Sequence, residues 1–542
     1  MRRAPQFLFI AVLLLFMSGC GSQSQTPVAN NPPVTTSGQV SLTVTDTPPA
    51  GVTVLFFQLG ITGATLTSSS GGSVSLLPST TTIPVNVSQL QTDSAFLGSA
   101  SVPAGTYTGM GLTFSTNPQL TIFNGSGATI GSGANACANN TVCQLTPTTT
   151  PLTLNFSSAP FPVTLTASTP LGFKLDIHLN TVIQPDLTVN LAAANGVTVS
   201  QLPPPPTGAP ISALGNLTGT IQGFMPYSVV PNPDQIQSLV TLQTGDGRSF
   251  SIGVNSSTTY SYPSSVCSTN NFACLAQGQI VKVEVSLQAG GTLLASNVTY
   301  MQPAGQMVVQ GNIIRLSTSG GNTLMDLILQ QGPPPPPTAT ALPPFGHRAT
   351  VTVPPAGVTY AVDSDSFTIP SGLTFTSTAN LMVGQQVSVV VAPGSITTMS
   401  NAPSSTAMVG PAATTFTASS ITLEPSQITG QVTAIDASNL NFRLSTNPNY
   451  FVPPSATVGM PPTPAPVNIV VQTTSGTTIT NFTPDSISGL AVNDVVSVGG
   501  WLFLTIPVSN VCTSVTCGTI STIAAQSVLN RPAPTPGATP LF

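Results

Sequence analysis

The chain has 542 residues, of which 4% are charged, and its 9 Lys and Arg against 14 Asp and Glu give a formal net charge of −5. Ordinary soluble proteins carry about 25% charged residues. With so few basic residues no basic patch can form, which excludes nucleic acid as a partner because phosphate binding depends on clustered positive charge. Low charge with substantial Val, Leu and Ile also excludes a disordered chain, and the many turn residues predict an all-β protein.

The first element is predicted to be an export signal covering residues 1–19. Arg2 and Arg3 precede the apolar run FLFIAVLLLFM, which Ser18 and Gly19 follow. A positive start, a short apolar stretch and small residues are typical of such signals. The run is too short for a spanning helix, which needs about 20 residues. A buried core helix is the alternative, but nothing downstream is helical enough to pack against it.

Cys20 directly follows these small residues, and Met17-Ser18-Gly19-Cys20 resembles the lipobox of bacterial lipoproteins. The resemblance implies that the Cys20 thiol takes a diacylglycerol, that the preceding peptide is removed and that the new amino end is acylated. Two or more acyl chains anchor a protein stably. We therefore expect a lipidated Cys20 on a flexible tether, 20–37, in the cell envelope, at the outer membrane or cell surface. A plain cleaved signal is the alternative.

Strand patterns begin immediately after the tether and define a first domain at 38–201. Apolar and polar residues alternate in SLTVTDTPPAGVTVLFFQLGIT around a Pro-Pro turn, as strand pairs do. This segment, VNVSQLQTDSAFLGSASVPAGTYTGMGLTF and PLGFKLDIHLN resemble the uncharacterised envelope family of domain of unknown function four-three-eight-two. The resemblance implies a β-sandwich and no known activity.

A stiff Pro-rich linker at 202–210 leads into three repeats, at 211–303, 304–425 and 426–532, with a tail at 533–542. The segments LAQGQIVKVEV, LMVGQQVSVVV and LAVNDVVSVGG align. Their valines recur at the strand period of two. The residues preceding the strands are of types that tolerate a left-handed turn. The aligned sets are the valine positions Val281, Val387 and Val496 with Val283, Val389 and Val498, the turn residues Gly278, Gly384 and Asn493, and the opening glycines Gly219, Gly311 and Gly430.

Each repeat resembles the exported family of domain of unknown function five-six-six-six, whose pattern includes a Gly-Asp-x-Val-x-Val strand. Only the third copy keeps the Asp, as Asp494, whereas the others carry Gln279 and Gln385. The resemblance implies a small β-barrel of OB type, so the predicted fold is an N-terminal β-sandwich followed by three OB-like barrels. Pro-rich inserts in the second and third copies are interpreted as extended surface loops.

Apart from Cys20, the cysteines form three close pairs. An even number in an exported chain predicts disulfides. Six cysteines allow 15 connectivities, and local pairing is the simplest. Their spacing does not fit a zinc site, and no cofactor is expected. The pairs are Cys137 with Cys143, Cys267 with Cys274, and Cys512 with Cys517.

One group of ionisable residues could form a site. In FKLDIHLN, strand alternation places Lys174, Asp176, His178 and Asn180 on one face. The alternative, which we favour, is that these residues form the solvent-exposed face of a half-buried antiparallel strand and have no role in a site.

Other acidic residues and His347 are interpreted structurally. Asp363 and Asp365 lack the distal ligands of a calcium loop and are interpreted as a turn. Asp46 is assigned to an Asx-turn, and His347 is expected to be solvated. The sequence contains no nucleophile elbow, phosphate loop or zinc-protease helix.

Two functions remain after these exclusions, and neither is enzymatic. The first is a lipid-anchored envelope protein that acts as a surface, scaffold or interaction module toward envelope proteins. The second is a carbohydrate-binding array that contacts polysaccharide, although sugar sites usually need aromatic platforms and the chain has one Trp and seven Tyr. A general acid–base enzyme would need clustered ionisable groups, which this composition scarcely provides.

Replacement of Cys20 by Ala should abolish acylation, because no other segment is expected to anchor the chain. Metabolic labelling with palmitate, followed by fractionation of the envelope, checks this. Label entering the Cys20→Ala protein would contradict the assignment of the anchor.

Overall fold

The structure is a computed structural model. Cys20, Cys512, Cys517, most of the 202–210 linker and the tail lie outside the residues that it describes. No helix in the described part of the chain is both long and apolar enough to span a bilayer. The described ranges are 37–47, 53–77, 82–90, 95–124, 128–139, 141–150, 152–167, 170–202, 212–230, 232–288, 291–302, 306–330, 343–364, 367–398, 414–446, 467–504 and 521–531.

The N-terminal domain is a sandwich of two sheets, as predicted. One sheet has the order β14-β12-β1-β5, and the other is built on β10-β6-β2-β7-β8. Their inner faces share one apolar core, to which Leu42 of β1, Phe173 of β12 and Phe57 of β2 belong. The elements are β1 (Ser37–Thr47), β2 (Thr53–Ser68), β3 (Ser73–Ser75), β4 (Ile83–Asn86), β5 (Ala95–Pro103), β6 (Gly105–Phe114), β7 (Gln119–Asn124), β8 (Thr141–Leu145), β9 (Thr149–Thr150), β10 (Thr153–Phe156), β11 (Val163–Leu165), β12 (Leu171–His178), α1 (Leu179–Val182), β13 (Val189–Asn190) and β14 (Val197–Gln201).

Three separate β-barrels follow, and each has its own sheet. Barrel 1 contains β15 (Ser212–Pro226), β16 (Ser238–Thr244), β17 (Ser249–Val254), β18 (Thr259–Ser261), β19 (Ile280–Leu287) and β20 (Leu293–Gln302). Barrel 2 contains β21 (Met307–Ser319), β22 (Asn322–Gln330), β23 (Arg348–Val353), β24 (Thr359–Val362), β25 (Gln386–Val391), β26 (Thr397–Thr398) and β27 (Thr414–Glu424). Barrel 3 contains β28 (Ser426–Asp436), β29 (Asn441–Thr446), β30 (Val467–Gln472), β31 (Thr478–Thr480), β32 (Val495–Phe503) and β33 (Ser521–Arg531).

The strand pairing in each barrel is that of an OB-type barrel. In barrel 1, β15 pairs with β16 and β19, β16 pairs with β17, and β19 pairs with β20, all antiparallel. The parallel pairing of β17 with β20 closes the barrel. The same parallel closure joins β23 to β27 and β30 to β33. The predicted fold class is therefore confirmed, and closure leaves few free strand edges.

The aligned valines line the barrel interiors, as their period predicted. They lie on β19, β25 and β32, with the residues between them on the outer face. Each is at most 3% exposed: Val281, Val283, Val387, Val389, Val496 and Val498.

The turn before each of these strands repeats in the same form. Gly278, Gly384 and Asn493 have φ of +85°, +95° and +81°, as their residue types predicted. The following side chain accepts a hydrogen bond from the backbone N–H three residues earlier. The three bonds are Ala276 to Gln279 Oε1 (2.8 Å), Met382 to Gln385 Oε1 (2.8 Å) and Ala491 to Asp494 Oδ2 (2.7 Å). Gln and Asp both supply the acceptor oxygen of this bond, and the glutamines also donate, Gln279 Nε2 to the Cys274 carbonyl and Gln385 Nε2 to the Asn380 carbonyl.

Extensive interfaces join the domains. Trp501, Phe503 and Ala524 of barrel 3 belong to the apolar core of barrel 2. Ile280 and Met301 of barrel 1 cluster with Val308 and Val390 of barrel 2. On the N-terminal domain, the Phe96 carbonyl accepts a hydrogen bond from Arg248 Nη1 of barrel 1 at 2.8 Å. Each domain therefore buries part of its outer surface against a neighbour.

The opening glycines yield a stability prediction. A Cβ at Gly430 would lie 2.4 Å from the Ser445 carbonyl oxygen of the neighbouring strand. Gly430→Ala should therefore destabilise barrel 3 by about 1–3 kcal/mol, since backbone cannot move aside easily. Gly63→Ala is the matched control, because its nearest atom would be 3.8 Å away. Denaturant unfolding of both variants checks the prediction, and equal midpoints would contradict it.

Candidate functional site

The ionisable face predicted on β12 lies at the surface of the N-terminal domain. Lys174, Asp176 and His178 are partly exposed, while the residues between them are buried. His178 Nε2 lies 3.8 Å from Asp176 Oδ2, which is beyond hydrogen-bond length. The face exists as predicted, but it presents no nucleophile and base in contact.

Three local interpretations of this domain were wrong. β12 is not a purely antiparallel strand, because it pairs in parallel with β1 and antiparallel with β14. Asn180 does not continue the strand face, since it lies in α1. Asp46 is within β1, opposite Ile177, rather than in an Asx-turn. The parallel partner comes from far along the chain, and alternation within one segment does not reveal it.

The two cysteine pairs in the described part of the chain form the predicted local disulfides. The S–S distance is 2.02 Å between Cys137 and Cys143, and 2.03 Å between Cys267 and Cys274. The third pair lies outside the described residues and stays a prediction.

A buried polar group lies where the three barrels meet, and we call it the junction. Lys282 of barrel 1 forms an ion pair with Asp363 of barrel 2, with Nζ 2.5 Å from Oδ2. The Asp363 carbonyl accepts a hydrogen bond from Trp501 Nε1 of barrel 3 at 2.8 Å. Glu424 adjoins Asp363 and accepts a hydrogen bond from the Ser388 hydroxyl at 2.6 Å. Side-chain exposure is only 7% for Lys282 and 10% for Asp363.

The electrostatics of the junction favour a protonated Glu424. Burial, and to a smaller extent the charge of Asp363, raise the pKa of Glu424 from 4.5 to about 8. Lys282 and the bond from Ser388 act in the opposite direction. At neutral pH this carboxyl group therefore carries a proton that it can donate.

Asp363, interpreted from the sequence as part of a turn, lies directly after β24 and belongs to the junction, whereas Asp365 lies outside the described residues. No site role was predicted for Asp363, Lys282 or Glu424. Lys282 lies on β19, Glu424 on β27 and Asp363 in the loop directly after β24, and no local pattern joins them. One signal was present: the chain has only two lysines and two glutamates. Lys282 lies between two of the aligned valines of a repeat strand, which is unusual in a chain with so few lysines. His347, by contrast, is exposed as expected.

The outer sheet faces of barrels 1 and 2 differ sharply. In OB-type barrels, the face of the second and third strands and the adjoining loops bind ligands. On β22 of barrel 2 this face is buried, with Asp326 at 4%, Ile328 at 0% and Gln330 at 1% exposure. Gln330 Oε1 accepts a hydrogen bond from Asn86, and its Nε2 donates to the Leu55 carbonyl at 2.7 Å. The N-terminal domain thus occupies the face of barrel 2.

Barrel 1 leaves the equivalent face open. Thr241 and Gln243 of β16 are partly exposed, and Ser249 and Ser251 of β17 are exposed. Six of the nine exposed large hydrophobics among the described residues belong to barrel 1 and lie on β15 or in the loops before β16 and β19. We call them the apolar surface of barrel 1: Phe224, Met225, Val229, Val230, Val266 and Phe272.

The described residues contain no group of three or more His, Cys, Asp or Glu that could hold a metal ion.

Comparisons with known proteins agree with the two resemblances. Residues 37–200 match the model of the family described as Domain of unknown function (DUF4382), and residues 240–299 match Domain of unknown function (DUF5666). The second match falls within barrel 1. No curated protein matches the chain. Neither family description names an activity.

Solved structures show only distant similarity. The chain is similar to "Crystal structure of the tetrameric p202 HIN2" at 11% identity over 38% of this chain and 88% of that chain, with a TM-score of 0.12. It is also similar to "drosophila Unr CSD456" at 9% identity over 59% and 98%, with a TM-score of 0.13. At TM-scores this low, neither similarity indicates a function for this chain.

The junction predicts a pH dependence of stability. Folded Glu424 holds its proton up to about pH 8, whereas an unfolded glutamate releases it near 4.5. Its contribution to stability is therefore present below pH 4.5 and is lost as pH rises through about 8. Glu424→Gln should remove this loss. Denaturation midpoints across that range check it, with Glu284→Gln in barrel 1 as the control. Parallel pH profiles for wild type and Glu424→Gln would contradict the prediction.

Proposed function

We propose that this chain is a non-enzymatic, lipid-anchored envelope protein that works by contact through barrel 1. The observation that carries the proposal is the asymmetry between the barrels. The face of barrel 2 is used within the chain, whereas the face and the apolar surface of barrel 1 remain exposed. An anchor at Cys20 and a polar tether would present this rigid assembly to other components of the envelope.

The chemistry of barrel 1 favours a protein partner. Val230 is 89% exposed, Val229 58% and Met225 50%. Contiguous exposed apolar side chains rimmed by polar ones are typical of protein interaction sites. The neighbouring Thr and Ser residues supply hydrogen-bonding groups without charge, so binding would depend little on salt. An uncharacterised protein of the same envelope fits this surface.

Polysaccharide is the second candidate, and the aromatic geometry supports it less. Phe224 and Phe272 meet edge to face, with ring centroids 5.8 Å apart. Sugar stacking needs an accessible ring face, and this pair offers two small tilted ones. Trp501 is fully buried against barrel 2 and cannot serve as a platform.

An enzymatic role finds little support in the placement of ionisable groups. The junction is largely buried, with side-chain exposure of 7% for Lys282 and 10% for Asp363, which leaves a soluble substrate little access to it. The face of Lys174, Asp176 and His178 is accessible, but His178 Nε2 lies 3.8 Å from Asp176 Oδ2, which is beyond hydrogen-bond length for a general acid–base pair.

Photo-crosslinking in cells tests the proposal. A photoreactive amino acid at Val230 of the full-length chain should give a discrete protein adduct. The same probe at Thr108, an exposed position on β6 of the N-terminal domain, is the matched control. Adding Phe224→Ser and Phe272→Ser should reduce the Val230 adduct at least several-fold, because the apolar contact is lost.

A glycan array with the purified chain separates the two candidates. Equal adducts at Val230 and Thr108 would contradict the contact surface. Saturable glycan binding that Phe224→Ser weakens would replace the protein partner with a polysaccharide.

A further inference from the structure

Lys282 and Asp363 are placed so that loss of one water would join them covalently. Nζ of Lys282 lies 2.5 Å from Oδ2 of Asp363, in direct contact with the carboxyl group. The two residues belong to different barrels and are 81 positions apart in the sequence. An amide between these side chains would therefore cross-link barrel 1 to barrel 2.

Glu424 supplies the third group that such a condensation needs. Its side chain is buried and hydrogen-bonded to Asp363, and burial raises its pKa to about 8. The Ser388 hydroxyl fixes one of its oxygens at 2.6 Å. A proton donor thus lies against the carboxyl group that would lose its hydroxyl.

The surroundings hold the reacting groups and exclude water. Asp363 is fixed through its backbone, because its N–H donates to the Leu423 carbonyl at 3.0 Å and its carbonyl accepts from Trp501. Ile280, two residues before Lys282 on the same strand face, packs in the apolar cluster between barrels 1 and 2. A buried ion pair pays a large desolvation cost, which a neutral amide avoids. Because the fold already holds the two groups in contact, the reaction does not incur the entropy cost of bringing them together.

We propose that Lys282 and Asp363 condense to an intramolecular isopeptide bond, with Glu424 transferring the protons. A proton first passes from the Lys282 ammonium to the Asp363 carboxylate, giving an amine and a carboxylic acid. The Nζ lone pair then attacks Cγ of Asp363, and the new C–N bond forms. Glu424 donates its proton to the departing hydroxyl and takes one from Nζ. The C–O bond breaks, water leaves, and Glu424 is protonated again.

The cross-link differs from the disulfides in what it joins and in how it can be broken. The two disulfides in the described residues each close a short loop, with separations of 6 and 7 residues. The isopeptide would close a loop of 81 residues across two barrels, and longer closures remove more entropy from the unfolded chain. It would also survive reduction.

Peptide mapping of the full-length chain tests the bond directly. After reduction and complete tryptic digestion, residues 249–315 should remain joined to 349–443, because an acylated Lys282 is not cleaved. The joined species should be lighter than its two parts by the mass of one water. Separate peptides 249–282, 283–315 and 349–443 at unmodified masses would overturn the proposal.

Three variants assign the roles. Lys282→Met should abolish the joined species, whereas Lys174→Met, at the chain's other lysine, should leave it unchanged. Glu424→Gln keeps the size and hydrogen bonding of the side chain and should slow joining at least tenfold in freshly refolded protein. Joining at the wild-type rate in Glu424→Gln would overturn the role of Glu424, and a joined species in Lys282→Met would overturn the assignment of Lys282.

Discussion

Contact between the Lys282 and Asp363 side chains across barrels 1 and 2 is the interaction on which the domain arrangement depends. A charge removed from water is costly unless a partner is present. Each barrel supplies one member of the pair, and Trp501 of barrel 3 binds the Asp363 carbonyl. If any barrel moved away, at least one buried polar group would lose its partner. The three barrels therefore hold one mutual orientation.

That fixed orientation decides which surfaces can meet a partner. Three repeats of one sequence pattern fold into barrels with the same strand pairing, yet they no longer have equal roles. Gln330 of barrel 2 binds the N-terminal domain, and Trp501 of barrel 3 fills a neighbour's core. Barrel 1 keeps its outer face, and the apolar surface beside it remains in solvent. Sequence repetition therefore yields one structural unit used for three purposes.

Local patterns in the sequence predicted the barrels well and their assembly poorly. Period-two valines identified the inward faces, and Gly278, Gly384 and Asn493 identified the left-handed turns, because both features depend on neighbouring residues alone. The junction depends on side chains from two strands and one loop that are far apart in the sequence, so no local pattern joins them. The composition marks Trp501 only as the chain's single Trp, whereas its ring lies in the interface between barrels 2 and 3, stacked on Phe367. Which domain surfaces pack against each other depends on surface shape, and the alternation of apolar and polar residues along one strand does not encode that shape.

In the native chain the domain interfaces stay closed while the outer face of barrel 1 remains open. Hydroxyl-radical footprinting of the native full-length chain measures this most directly, because Phe56 and Trp501 face outward from their own domains yet are 0% exposed. Met225, at 50% exposure, reports on barrel 1. Met225 should be oxidised rapidly, whereas Phe56 and Trp501 should be protected until the chain unfolds. Oxidation of Phe56 and Trp501 in the native chain at their unfolded rates would contradict it.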